Sequence, residues 1–338
     1  MRAVVYSETG PSSVLRLEER PVPEPDAGEV RLKVVVSGVN PTDWKSRSGG
    51  TASLAFPEAT PNQDGAGIVD AVGPGVPDLA VGDRVWTCMA AQDRPTGTAQ
   101  EFTVLPAERV TRLPDGASFD VGASLGVPAV TAHRALTVAE DGPHRLAPGA
   151  LAGRTVLVAG GAGAVGNAAI QLARWAGATV VTTVSGPEKA ALAQSAGAHH
   201  VVNYREGDPV AAIREVAPDG VDLVVEVAPA QNAELDAQVI RPRASIAVYA
   251  NNGGDEVRLD VRPNMVTNAR WQFILMYTMG ADALAAAAED VTAAVRDGAF
   301  GVGEEHGLPL TRFTLQDTAK AHDAVEAGAV GKVLVDVG

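Results

Sequence analysis

Six residues, Gly161-Ala162-Gly163-Ala164-Val165-Gly166, constrain this chain more than any others, because of what flanks them. Thr155–Ala159 reads as a short buried strand, and Asn167–Ala176 has helical spacing with Ile170, Leu172 and Ala173 on the inward face. A second strand, Thr179–Val184, follows. A G-x-G-x-x-G at such a strand-to-helix turn has a physical reading. Gly161 permits the tight turn, Gly163 lets the backbone approach a pyrophosphate, and Gly166 lets helix and strand pack closely. The helix then offers free N–H groups and its positive dipole end to phosphate. A purely structural glycine turn is the alternative. The strands on both sides favour a dinucleotide-binding fold, with all six residues as cofactor contacts.

The type of dinucleotide follows from a missing acid. NAD-binding folds place Asp or Glu about 20 residues on, where it holds the ribose 2′-hydroxyl. Here the second strand ends Thr183-Val184-Ser185. Ser185 can donate to a 2′-phosphate, and Lys189, one turn into the next predicted helix (Glu188–Ala196), can supply charge. This favours NADPH. Ser185 can equally cap that helix with Lys189 in solvent, and the two readings are compatible.

With 338 residues the chain has room for two domains, and its rhythm divides it. Up to about residue 125, short apolar runs are cut by Gly and Pro, as in a β-barrel-like module. From 126 to 277 strands and helices alternate, with further strands at His200–Asn203, Val221–Val227, Ser245–Tyr249 and Trp271–Leu275, which implies a parallel sheet covered on both faces. Glu140–Gly153 reads as a surface connection. Residues 278–338 carry helices Asp282–Asp297 and Leu315–Ala327 and a last strand, Lys332–Val337. They are too short for a domain and are expected to complete the first one.

Composition excludes some partners. A formal charge of −14 argues against nucleic acid and anionic membrane as main partners. No run approaches the roughly 20 apolar residues of a membrane span, and the N-terminus lacks an apolar signal core, so a cytoplasmic location is expected. Cys88 is the single cysteine, which rules out an intramolecular disulfide and a cysteine-rich zinc site.

Ordered motifs along nearly the whole chain carry a resemblance. They are Gly38-Val39-Asn40-Pro41-Thr42-Asp43, Asp64-Gly65-Ala66-Gly67, Val81-Gly82-Asp83-Arg84-Val85, Gly126-Val127-Pro128-Ala129-Val130-Thr131-Ala132, the glycine loop, Val202-Asn203-Tyr204-Arg205, and a tail with His322, Glu326, Gly328 and Gly331-Lys332-Val333. The chain resembles the medium-chain dehydrogenase/reductase superfamily, in its zinc-free, zeta-crystallin-like quinone oxidoreductase branch. The resemblance implies an α/β protein with a GroES-like β-barrel domain (1–125, completed by 278–338) and a Rossmann NADPH-binding domain (126–277), usually a homodimer joined through the edge strand near Trp271–Leu275. It implies 2′-phosphate contacts at Ser185, Lys189 and Tyr204. Contacts on the nicotinamide side would fall on Asn40, Thr131, Tyr249, Ala250, Ile274, Leu275 and Met276, and Lys332 joins the cofactor set.

Zinc members of the superfamily hold the metal with Cys, His and usually a second Cys. The aligned positions here are Asn40, Gln63 and Val127, so no metal is expected. The six histidines do not form a ligand pattern; His199 and His200 would point to opposite faces of an extended chain. Without a Lewis acid, reduction of a conjugated acceptor is the easier chemistry, since the protein must orient two rings and offer donors where charge develops. Asn40 and Thr131 are candidates for that orientation, although Asn40 also suits a turn before Pro41. Bacterial quinone reductases carry tyrosines where this chain has Lys45 and Thr51. Lys45 is then a candidate proton donor, or a solvated or ion-paired lysine. Asp43 would pair with Lys45 or Arg47, or cap a short helix. The expected substrate is a small quinone or α,β-unsaturated carbonyl. An enoyl-thioester reductase and a non-catalytic NADPH-binding protein remain the alternatives.

Overall fold

A computed structural model describes residues 1–50 and 54–338, so Thr51 lies outside the described residues. The chain forms two compact units, residues 1–127 with 309–338, and residues 128–308.

The first unit is mostly antiparallel. In chain order it contains β1 (Arg2–Val5), β2 (Arg16–Glu19), β3 (Glu29–Val39), α1 (Pro41–Ser48), β4 (Asp64–Val72), β5 (Arg84–Thr87), β6 (Phe102–Pro106) and β7 (Val110–Arg112), then the start of α2 (Phe119–Leu136). The long β3 is the hub, pairing with β4 and β6 and with a strand from the chain's end. Val30, Leu32, Val69, Val85 and Leu105 bury their side chains in one of its cores.

The second unit holds β8 (Thr155–Ala159), α3 (Ala164–Trp175), β9 (Thr179–Val184), α4 (Pro187–Ser195), β10 (His200–Asn203), α5 (Pro209–Val216), β11 (Val221–Glu226), α6 (Pro229–Val239), β12 (Ile240–Val248), α7 (Val261–Thr267), β13 (Arg270–Phe273) and α8 (Ala281–Arg296). Its six strands are all parallel, in the order β10-β9-β8-β11-β12-β13. That is the doubly wound order of a dinucleotide fold, reversing direction between β8 and β11. The chain then returns to the first unit as β14 (Leu310–Thr314), α9 (Thr318–Glu326) and β15 (Lys332–Asp336), with β15 antiparallel to β3.

Two expectations need correction. Residues 278–308 belong to the parallel-sheet unit, not to the barrel. Helix α8 buries Ala287, Val291 and Ala294, Trp175 Nε1 donates to Asp297, and Gln171 exchanges hydrogen bonds with Gly301 at 2.9 and 3.0 Å. The boundary expected at 125/126 lies two residues from the one at 127/128, and both fall inside α2, whose glycines and Pro128 mask a helical pattern. Glu140–Gly153 is a surface connection, as expected, anchored by buried Leu146 and Leu151 and by the bonds of Arg145 and the Leu146 N–H to Asp290. The rings of His199 and His200 do not diverge but stack at 6.4 Å. They lie where α3 and β9 supply local partners, and the Val180 N–H donates to His199 Nδ1.

Candidate functional site

In a parallel sheet every strand delivers its following loop to the same edge, and ligands bind at that edge. All but one of the second unit's candidate residues lie there. Gly161 to Gly166 follow β8, Ser185 follows β9, Tyr204 follows β10, Tyr249 and Ala250 follow β12, and Ile274 to Met276 follow β13. Thr131, the exception, is nearly buried within α2. The Tyr204 N–H donates to the Val184 carbonyl at 3.1 Å, which brings Tyr204 beside Ser185. Lys189 is exposed in the first turn of α4, just past Ser185. Tyr249, Ala250 and Ile274 line one cavity of about 300 Å³, whereas Met276 is buried and Leu275 exposed.

The glycines of the loop differ in what a side chain would meet. A Cβ on Gly161 would lie 2.2 Å from Thr182 Oγ1, and one on Gly166 would lie 2.3 Å from the Gly160 carbonyl. Those two are glycine because the protein itself fills the space. Above Gly163, the N-cap of α3, the nearest atom is 3.5 Å away. Internal packing therefore does not require glycine there, but a phosphate approaching the backbone would. The cradle fits a dinucleotide.

In the first unit the functional groups come from four separate segments. The register of β3 places Gly38 opposite Asp64 on one side and Val39 opposite Val333 on the other, so Asp64 and Lys332 both flank Asn40. Lys332 Nζ donates to Asn40 Oδ1 at 2.7 Å, Asn40 Nδ2 donates to Asp64 Oδ2 at 2.7 Å, and Lys332 and Asp64 form an ion pair at 3.3 Å. The Val127 N–H donates to both Asp64 oxygens at 2.8 and 3.0 Å. A Cβ at Gly126 would sit 2.0 Å from Asp64 Oδ1, so only glycine allows α2 to come so close to the carboxylate.

Asp43 serves the same cluster as a cap. Its carboxylate accepts the N–H of Asn40 at 2.7 Å and that of Gln63 at 3.0 Å. Arg47 pairs with Glu326 at 2.7 Å, and the bonds of Asp43 to the Asn40 and Gln63 N–H groups are those of a cap. Burial, reinforced by the nearby Asp64, pushes the Asp43 carboxyl up to about 7. Burial also raises Asp64, against the pull of Lys332 and Asn40, and lowers Lys332. Burial pushes the Cys88 thiol up to about 12, which leaves it protonated at neutral pH.

Asn40 and Lys332 are thus brought together. Lys332 was expected among cofactor contacts, but it is 2% exposed and engaged by Asn40 and Asp64. Lys45 lies half-buried in the second turn of α1. Sequence reasoning gave no role to Asp64. The available signal was an acid opening an apolar strand and a lysine opening another, since buried charges must find partners. A cavity of about 240 Å³ adjoins the cluster within this unit, lined by Tyr6, Asp43, Phe56, Asn62, Gln63 and Arg94 among others.

The positions that align with zinc ligands hold two amides and a valine. The Gln63 carboxamide oxygen accepts the Ala91 N–H, and Asn40 faces an ammonium, which would repel a second cation. These residues do not fit zinc. Among the described residues no group of three His, Cys, Asp or Glu side chains could hold a metal ion, and no helix is long and apolar enough to cross a membrane.

Comparison with known proteins agrees with this architecture. Residues 26–115 match the family described as an alcohol dehydrogenase GroES-like domain, and residues 164–293 the family described as a zinc-binding dehydrogenase. The chain is 30% identical to the quinone oxidoreductase of Lama guanicoe, over 99% of this chain and 97% of that protein. It is 33% identical to a 2-haloacrylate reductase of Burkholderia sp, over 77% of this chain and 76% of the relative. A mycobacterial protein solved in complex with NADPH superposes with a TM-score of 0.82 at 29% identity, covering 99% of both chains. On these grounds the chain belongs to the medium-chain dehydrogenase/reductase superfamily, in its zeta-crystallin-like quinone oxidoreductase branch.

Proposed function

We propose that this protein is an NADPH-dependent reductase that transfers hydride to a small quinone or conjugated enone without zinc. The observation that carries the reading is the donor set around Asn40: a carboxamide held between an ammonium and a carboxylate, where metal-dependent relatives need thiolate and imidazole. The relatives support it. One is named a quinone oxidoreductase, one reduces a haloacrylate (an activated alkene), and a structural neighbour holds NADPH.

NADPH, when bound, supplies the hydride. The glycine loop and the first turn of α3 would hold its pyrophosphate, and Ser185, Lys189 and Tyr204 its 2′-phosphate. Ala250 and the backbone near Ile274 would face the nicotinamide side. Asn40 and Thr131 orient the reacting rings, and the Asn40 carboxamide donates toward the oxygen on which charge collects. Lys45 is the candidate proton donor for an enolate, whereas a hydroquinone oxygen takes its proton from water. The cavity of about 240 Å³ beside Asp43 suits an acceptor of one or two rings. The protein is a homodimer in this reading. It joins through the open edge of β13, where Phe273 and Leu275 are exposed beside Val261, Met265 and Val266 of α7.

An absorbance screen of NADPH consumption against 1,4-benzoquinones, short enones and enoyl thioesters tests the proposal. Turnover of quinones or enones supports it. Turnover of thioesters alone assigns the protein to biosynthetic enoyl reduction, and no turnover of any class refutes catalysis of this kind.

A further inference from the structure

Asn40 has one carboxamide with chemically opposite ends, an oxygen that accepts and an NH2 that donates. Its neighbours fix which end lies where. Lys332 Nζ can only donate, and it lies 2.7 Å from Oδ1. The Asp64 carboxylate can only accept, and it lies 2.7 Å from Nδ2. The two constraints select the same orientation. A flipped amide would set NH2 against ammonium and oxygen against carboxylate. One N–H of Nδ2 remains for another partner.

Stability does not account for this arrangement. Lys332 and Asp64 are 2% and 0% exposed, and replacing such a buried ion pair by apolar residues is often neutral or stabilising. The surrounding structure nevertheless fixes both groups. Asp64 is held by the Val127 N–H beneath Gly126, and Lys332 opens a strand whose register is set by Val333 opposite Val39. A rigid, paired frame around one amide is what a positioned donor requires.

We propose that Lys332 and Asp64 are positioning residues that lock the Asn40 carboxamide in one orientation, so that its remaining N–H meets the acceptor or the nicotinamide. The inference rests on the orienting role given to Asn40 above. It moves Lys332 from contacting the cofactor to acting through Asn40.

The test is a cycle built on the charge-neutral pair Asp64→Asn/Lys332→Met, which leaves neither member of the Asp64–Lys332 ion pair without the other. That variant should fold and bind NADPH within about twofold of wild type, while kcat falls about ten- to a hundredfold with little change in the acceptor KM. In an Asn40→Ala background the same two substitutions should alter kcat by less than about twofold, since no amide remains to be oriented. In 15N spectra the Asn40 side-chain amide, identified by its loss in Asn40→Ala, should shift and exchange faster with water in the pair variant. Losses that multiply independently, or wild-type kcat in the pair variant, would overturn the proposal while leaving Asn40's own role intact. Wild-type kcat in Asn40→Ala would instead refute the role on which it rests. Should the pair variant not fold, Asp64→Asn alone keeps size and shape but removes the orienting charge. Its kcat must then fall in the wild-type background and stay unchanged on Asn40→Ala, and any other result overturns the inference.

Discussion

In the barrel unit two acids, Asp43 and Asp64, are buried beside the ammonium of Lys332. In the parallel-sheet unit two others, Glu226 and Asp236, are buried with one another. Glu226, at the end of β11, accepts from the Ala228 N–H and from Asn232 Nδ2 at 3.0 and 3.2 Å. Among the described residues nothing donates a hydrogen bond to Asp236, whose carboxyl, when protonated, donates to Glu226. Burial raises both carboxyls, and Glu226 raises Asp236 further. The Asp43–Asp64 pair therefore has a fixed cation beside it, whereas the Glu226–Asp236 pair relies on a retained proton. A fixed cation also orients what it touches. A shared proton makes stability depend on pH.

The largest effect is expected at Lys332. Lys332→Met leaves Asp43 and Asp64 without their counter-ion and should cost about 3–5 kcal/mol of stability, as for other broken buried pairs. Denaturant titration measures the loss, and adding Asp64→Asn should recover most of it. Equal stability of Lys332→Met and wild type would show that the ammonium does not offset the acids.

Next in size is a local effect in the other unit. A Cβ at Gly163 meets no atom closer than 3.5 Å, so Gly163→Ala should leave Tm within a few degrees. It should weaken NADPH by more than about tenfold (~1.4 kcal/mol), because the methyl group occupies the phosphate's approach. Calorimetry that found undiminished affinity would remove the phosphate from this turn.

Cofactor choice is read at the neighbouring strand end. No acid follows Val184, and Ser185, Lys189 and Tyr204 stand together, so NADPH should bind at least about tenfold more tightly than NADH. Lys189→Ala should reduce NADPH affinity and leave NADH nearly unchanged. Equal affinities in the wild type would contradict the assignment.

The smallest effect sharpens the contrast in charge handling. The folded-state pKa values of Glu226 and Asp236 lie above their unfolded values. The stability they contribute is therefore complete below the ordinary carboxylate range and is lost as pH rises through the folded values. The groups facing them are Asn232 and, through its charge interaction with Glu226, Tyr249. Asp236→Asn supplies an N–H in place of the shared proton. Its Tm should fall less than that of wild type between pH 5 and 9, by about 4 °C, the scale of 1 kcal/mol. Parallel curves would show that no proton is held.

The two units were also unequally legible in the sequence. Parallel-sheet function sits in loops that follow strands, so a local pattern such as Gly161 to Gly166 reports both the fold and its binding edge. The barrel's site joins Asn40, Asp64, Val127 and Lys332, and sequence spacing does not reveal that β15 returns beside β3. Lys332 was consequently assigned to the cofactor from its motif alone. Residues 278–308 were placed with the wrong unit for a related reason: the apolar face of α8 announces burial without naming the surface it covers. Helix α2 was hidden by Gly122, Gly126 and Pro128, yet Gly126 is there because Asp64 leaves no room for a Cβ.

In the proposed function Asn40 and its buried partners serve hydride transfer without a metal. The most direct measurement follows NADPH oxidation by 1,4-benzoquinone and by a short enone before and after exhaustive chelation, with zinc quantified in the same samples. Unchanged rates and substoichiometric zinc are the outcome expected of this function. Stoichiometric zinc whose removal abolishes turnover, and whose return restores it, would contradict it.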